Sequence, residues 1–170
     1  MLSIGDLSLR VVNFAFLVII LGLTGSLAAT ADNSNPQVNF AVFAAAFGLL
    51  FSSFYGILAN FISVFAWPIL LALFDFLNFV FTFSGATALA VAIRSHSCHN
   101  QSYLDGNKVT QGSTDRCRKA QASVAFLYFS FFIFLVSLVF SGLSILKNGF
   151  LGTRATSSAP RTGVPTVSQV

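Results

Sequence analysis

The sequence predicts an all-α membrane protein, a four-transmembrane-helix antiparallel bundle. Four apolar stretches carry that prediction: residues 11–29, 40–62, 67–93 and 122–146. Each is long enough to cross a bilayer, since a helix rises about 1.5 Å per residue and the hydrocarbon core is about 30 Å thick. Within them Asp75 is the one charged residue. Composition agrees: 8% of the chain is charged, 55% is apolar and Glu is absent, whereas a soluble domain is about 25% charged. The expected organisation is one four-helix domain over residues 1–146, with loops at 30–39 and 94–121, and a flexible tail over 147–170. The net charge of +4 is thinly scattered, with Arg116, Arg118 and Lys119 the one local cluster. Nucleic-acid binding would need a basic face, and no such face is visible.

Span one follows a head containing Asp6 and Arg10, a weak basic region for a signal peptide. Its apolar run is also longer than a usual signal core, so it is expected to stay as a membrane helix although Ser26-Leu27-Ala28 resembles a cleavage triplet. The connection to span two contains Asp32-Asn33-Ser34-Asn35-Pro36, a turn-rich run. Spans two and three are joined by only residues 63–66, which makes them antiparallel neighbours. Span three opens on Trp67-Pro68, an interfacial aromatic followed by a residue suited to a first helical turn.

Basic residues do not orient the bundle. The terminal side holds Arg10, Lys147, Arg154 and Arg161, and the loop after span three holds Arg94, Lys108, Arg116, Arg118 and Lys119. That is four against five, which the positive-inside rule cannot separate. Cysteine placement is more informative. Cys98 and Cys117 are the chain's two cysteines and share that loop. A disulfide between them persists only in an oxidising compartment, so the loop is expected outside and both termini in the cytosol. The triplet Asn100-Gln101-Ser102 has the glycosylation form, but it lies close to the membrane and is expected to be unused. His96, Cys98, His99 and Cys117 match no zinc spacing, and no metal or other cofactor is expected.

Packing signals concentrate in span two. Ala44, Gly48, Ser52 and Gly56 recur every four residues and are followed by Asn60. Helices in lipid associate where small residues let backbones approach. The stripe is expected to pack inside the bundle, the sharper reading being a contact with a second copy. Looser sets of small residues are Gly22 and Ser26 in span one, Ala86, Ala88, Ala90 and Ala92 in span three, and Ser137 and Ser141 in span four.

Asp75 and Asn78 share a face of span three, and a carboxyl inside a membrane helix is costly. The expectation is a polar clamp to a neighbouring helix, reaching Asn60 or Ser52. With no Lys, Arg or His inside the spans, Asp75 is expected to lack a cationic partner and to hold a proton. The rival reading makes Asp75 the site of a small oligomeric channel or carrier. Catalysis is not expected. No nucleophile elbow, carboxylate dyad or phosphate loop is present, so no catalytic residue is assigned. The tail is rich in Ser, Thr, Gly and Pro, and it ends on Ser168-Gln169-Val170, the form of a carboxylate-capture ligand.

The runs FYGILANFI, FAWPILLALFDFLNFVFTF, AIRSHSC, NKVTQGSTDRCRKAQASVAFLYFS and GVPTVSQV resemble the fungal non-classical export protein 2 family, tetraspans of MARVEL type. The resemblance covers nearly the whole chain. It implies a plasma-membrane protein that organises lateral microdomains, the furrows underlain by eisosomes. It also implies a sphingolipid response and export of leaderless proteins. Implied partners are membrane lipids (sphingolipid or sterol), cytosolic eisosome coat proteins that read the tail, and further copies of the chain. Asp75, Asn78, Cys98 and Cys117 fall on matching family positions. The tail departs from the expected pattern, because Arg154 and Arg161 stand isolated where a tighter basic cluster would bind inner-leaflet lipid.

Overall fold

The structure is a computed structural model and describes residues 4–56, 58, 68–94 and 96–148. Asn60, the 63–66 connection, Trp67 and the tail from residue 149, with Ser168, Gln169 and Val170, lie outside the described residues. Among those described, secondary structure is entirely helical. Helix α1 spans Ile4–Ala29, α2 spans Pro36–Phe47 and runs on through a π-helical segment at Gly48–Phe54, and α3 spans Pro68–Ile93. A short α4, Gln101–Gly106, sits in the long loop, and α5 spans Thr114–Asn148. Three of these are long and apolar enough to cross a bilayer, within Gly5–Ala29, Ile69–Ile93 and Thr114–Leu146, and Pro36–Ser52 forms a shorter apolar helix.

Local chemistry explains where the boundaries differ from the hydropathy reading. Helix α2 begins four residues before residue 40 because Asn35 caps it. The Asn35 Oδ1 accepts from the Gln37 and Val38 N–H groups at 3.1 and 3.3 Å, with Pro36 in the first turn. Helix α5 begins at Thr114 rather than 122 because the Ser113 hydroxyl accepts from the Arg116 N–H at 3.4 Å. The 35-residue helix is therefore about 52 Å long and projects beyond the hydrocarbon layer. Helix α1 starts well before residue 11 and so carries Asp6 and Arg10 on its own face.

The four long helices pack in a ring, α1 beside α2 and α5, and α3 beside α2 and α5. Burial follows a strict rhythm. In α1 the buried residues are Asp6, Arg10, Asn13, Leu17, Ile20, Thr24 and Leu27, at alternating spacings of four and three. In α5 the same spacing takes in Ala120, Ser123, Leu127, Ser130, Phe134, Ser137 and Ser141, and in α3 Leu71, Asp75, Asn78, Thr82, Gly85 and Leu89, with Ala86 and Ile93 buried beside them. This is the heptad repeat of helices that supercoil with a left-handed seam. The seam mixes polar side chains with large apolar ones such as Leu17, Ile20, Leu127 and Phe134, and further large apolar side chains face outward, among them Phe14, Phe43, Phe54, Phe83, Phe129 and Phe132. An apolar exterior around a seam that carries polar groups suits a bundle surrounded by lipid, where helices gain little from burying apolar surface and associate by close approach and hydrogen bonding.

Candidate functional site: an ionic clamp inside the bundle

All four long helices meet on one carboxylate. The Arg10 guanidinium reaches across from α1 and grips Asp75 of α3 with both prongs, Nη1 to Oδ1 at 3.1 Å and Nη2 to Oδ2 at 2.7 Å. Its Nε donates to Asp6 Oδ2 at 3.0 Å, one turn earlier in α1. From α2, the Ser52 hydroxyl donates to Asp75 Oδ1 at 3.1 Å and accepts from Arg10 Nη1 at 3.1 Å. From α5, the Ser141 hydroxyl donates to Asp75 Oδ2 at 3.1 Å. Asp75 is wholly buried and Arg10 is 2% exposed. A planar fork meeting a carboxylate is the strongest geometry available to a side-chain pair. A buried ion pair offsets its desolvation cost only when further hydrogen bonds engage its atoms, and both oxygens of Asp75 accept a second bond here.

The clamp overturns one expectation. Asp75 does not lack a cationic partner: the Arg10 guanidinium lies 2.7 Å from its Oδ2. Arg10 lies one residue before the apolar run, so hydropathy places it with the head of the chain. The helix in fact extends through it, and the 65-residue separation hides the pair from any local reading. The spacing of Asp6, Arg10 and Asn13 was the available signal, because it continues the heptad of Leu17, Ile20, Thr24 and Leu27.

Backbone geometry in α2 accommodates the guanidinium. Arg10 Nη1 also donates to the Ser52 carbonyl at 3.3 Å, inside the π-helical segment. Such segments occur where a side chain enters the helical ladder, and they recur at functional positions. Ala44, Gly48, Ser52 and Gly56 are all buried and line the inner face of this helix. A Cβ at Gly56 would stand 2.7 Å from Arg10 Nη1, and one at Gly48 would stand 3.0 Å from Leu17 and 3.2 Å from Asn78 Oδ1. Ala44 packs against Gly85 of α3, where an added Cβ would lie 3.7 Å away. The stripe is thus spent on packing within one bundle. Gly22, by contrast, faces open space.

One turn along α3, the Asn78 side chain turns back on its own helix, Nδ2 donating to the Phe74 carbonyl at 2.8 Å. Thr82 likewise donates to the Asn78 carbonyl at 2.7 Å. Asn78 is therefore a neighbour of the clamp and not a member of it.

The opposite end of the bundle is closed by the loop. Cys98 and Cys117 form a disulfide with Cα atoms 5.7 Å apart, packed against Leu104 and Tyr103. The Tyr103 hydroxyl donates to the Ile93 carbonyl, and Asn107 Nδ2 donates to the Ala92 carbonyl at 2.8 Å. These bonds satisfy carbonyls that the end of α3 leaves open. Arg116 donates to the Val109 carbonyl at 3.0 Å and to the Thr30 hydroxyl, and Lys119 donates to Ser26 at 3.2 Å. The loop is thereby fastened to α1. Of the four residues weighed as metal ligands, the cysteines are consumed by the disulfide and the His96 ring lies on Tyr103, centroids 4.9 Å apart. Asn100 is exposed, and its side chain caps α4 by accepting from the Tyr103 N–H at 3.4 Å.

Comparison with known proteins gives a consistent family. The family model for MARVEL, a membrane-associating domain, matches residues 3–140. The chain is 66% identical over 171 residues to "Non-classical export protein 102" of Candida albicans, covering 100% of both chains. It is 53% identical over 173 residues to "Non-classical export protein 2" of Saccharomyces cerevisiae, again with 100% of both covered. A homologue of the latter in Schizosaccharomyces pombe is 37% identical over 142 residues, 82% of this chain and 76% of that one. No solved structure matches.

Proposed function

The chain belongs to the MARVEL family, and from that premise we propose that it is a plasma-membrane tetraspan that organises lateral membrane microdomains. In this reading the disulfide loop faces outside and both termini face the cytosol, because a Cys98–Cys117 bond endures only where the surroundings are oxidising. It has no catalytic role. Its domains are the eisosome-associated furrows, and its work is linked to the sphingolipid response and to non-classical protein export. The last link follows the printed names of its relatives.

The observation that carries the reading is the apolar, Phe-rich exterior of the bundle. Arg10, Ser52 and Ser141 from three helices converge on Asp75 of the fourth, and both of its oxygens are occupied. What the bundle offers outward is a wall of bulky apolar side chains, drawn from a chain with 21 Phe. A rigid, Phe-rich wall favours some acyl environments over others, and that preference is a means of sorting lipid around the protein. The tail, ending on Ser168-Gln169-Val170, would report to a cytosolic coat. The occupied Asp75 disfavours the channel or carrier reading.

Live imaging of a fluorescently tagged chain tests this. Replacing the exposed Phe129 and Phe132 by Leu is expected to disperse surface clusters while leaving the fold intact, since both rings are more than half exposed. Deleting residues 149–170 is expected to uncouple the clusters from the cytosolic coat. Ion or solute flux through the purified protein in liposomes, abolished by Asp75→Asn, would contradict the proposal.

A further inference from the structure

Between the start of α2, the end of α3 and the folded loop lies an open groove of about 410 Å³. Polar groups make up about half of its lining, among them Gln37, Arg94, His96, Tyr103, Asn107 and Lys108. Arg94 and Lys108 give it two positive charges, and among the described residues no carboxylate lines it. Neither cation forms an ion pair with a described residue, in contrast to Arg10 and Lys119. The carbonyls of Ala92 and Ile93, which would otherwise attract those cations, are already satisfied by Asn107 and Tyr103.

Arg94 is held in the left-handed region at φ 48°, a conformation that residues with a side chain rarely adopt. A left-handed residue directly after a helix is a common way for the helix to stop. The height of the groove is also informative. Gln37 lies at the beginning of α2 and Arg94 one residue past the end of α3, where both helices leave the apolar layer. That is the level of lipid headgroups.

We propose that this groove binds the phosphate of an anionic phospholipid headgroup, with Arg94 as a forked contact and Lys108 as a point charge. The planar guanidinium fork can meet two phosphate oxygens at once and ammonium supplies a compact second charge, while the Gln37 amide offers a neutral donor. The proposal rests on the membrane placement above in one respect only, the leaflet that supplies the lipid.

Native mass spectrometry of the full-length protein, released from detergent with defined lipids, reads the site. Wild-type protein is expected to retain dioleoylphosphatidylglycerol in preference to dioleoylphosphatidylcholine. Each of Arg94→Gln and Lys108→Gln is expected to weaken retention about five-fold, and the double variant about thirty-fold. An unchanged unfolding temperature and an intact disulfide show that each variant is folded. Should Arg94→Gln fail to fold, exposed Lys108 carries the test alone. Equal retention of the two lipids by wild-type protein, or undiminished retention by folded Lys108→Gln, would overturn the site. Complete release of the lipid by millimolar inorganic phosphate would assign the groove to a free anion and would overturn it as well. Loss of lipid retention with surface clustering intact refutes this site alone, whereas loss of clustering with retention intact refutes the organiser reading alone.

Discussion

The Cα of Gly56 faces the Arg10 guanidinium so closely that a methyl group placed there would stand 2.7 Å from Nη1 and 3.0 Å from Cδ. Glycine is needed at this point because a charged side chain from another helix occupies the volume that a Cβ would fill. Gly56→Ala is therefore expected to displace Arg10 and to lower stability by about 1–3 kcal/mol, the usual cost of overpacking. Gly22→Ala and Gly142→Ala meet nothing within 4 Å. They are expected to be neutral or to stabilise by up to about 1 kcal/mol through helix propensity. Thermal unfolding of the three variants in one detergent separates the two outcomes.

The disulfide predicts both a stability change and a topology. Cys98 and Cys117 are 19 residues apart. Closing a loop of that size stabilises by about 3 kcal/mol in the chain-entropy model. Paired replacement by Ser is expected to lower the unfolding free energy by about that amount. On intact cells, a membrane-impermeant maleimide applied after mild reduction is expected to label both thiols. Labelling only after permeabilisation would invert the proposed orientation.

Tyr103 predicts an alkaline transition in the loop. Burial holds its phenol above the ordinary value of 10.0, against a smaller lowering by Arg94. A raised acid is favoured in its neutral form by folding. Its contribution is therefore complete below the unfolded pKa and is lost as pH climbs from about 10 through the folded value. The neutral form is also the one that donates to the Ile93 carbonyl. Stability measured from pH 8 to 11.5 is expected to fall in wild-type protein and to fall less steeply in Tyr103→Phe.

Much of this fold is legible because lipid imposes a simple rule. Long apolar runs must be helices, and the approximate positions of all four follow from hydropathy. The small-residue stripe of Ala44, Gly48, Ser52 and Gly56 is equally plain, since backbone approach in lipid requires it. Two kinds of feature escape. Caps such as Asn35 and Ser113 extend helices beyond the apolar runs, because a helix end is set by hydrogen bonding and not by hydropathy. The ionic clamp escapes for a deeper reason. A window of hydropathy treats Asp6 and Arg10 as marks of a membrane edge. Their burial depends on a carboxylate two helices away, and pairing across 65 residues is invisible to a hydropathy window. The heptad of polar positions in α1 was the one trace, and it becomes readable only when charged residues are admitted to the seam.

The central claim is that Arg10 and Asp75 are mutually dependent partners that hold the four helices in register. A double-mutant cycle measures this most directly, with Arg10→Met, Asp75→Leu and the pair compared by unfolding in the same detergent. Each single change strands a buried polar partner and is expected to cost about 3–5 kcal/mol, while the double variant costs less than either sum predicts. The expected coupling is about 2–3 kcal/mol. Costs that add to within about 0.5 kcal/mol would mean that the two side chains do not act on one another, and would contradict the account.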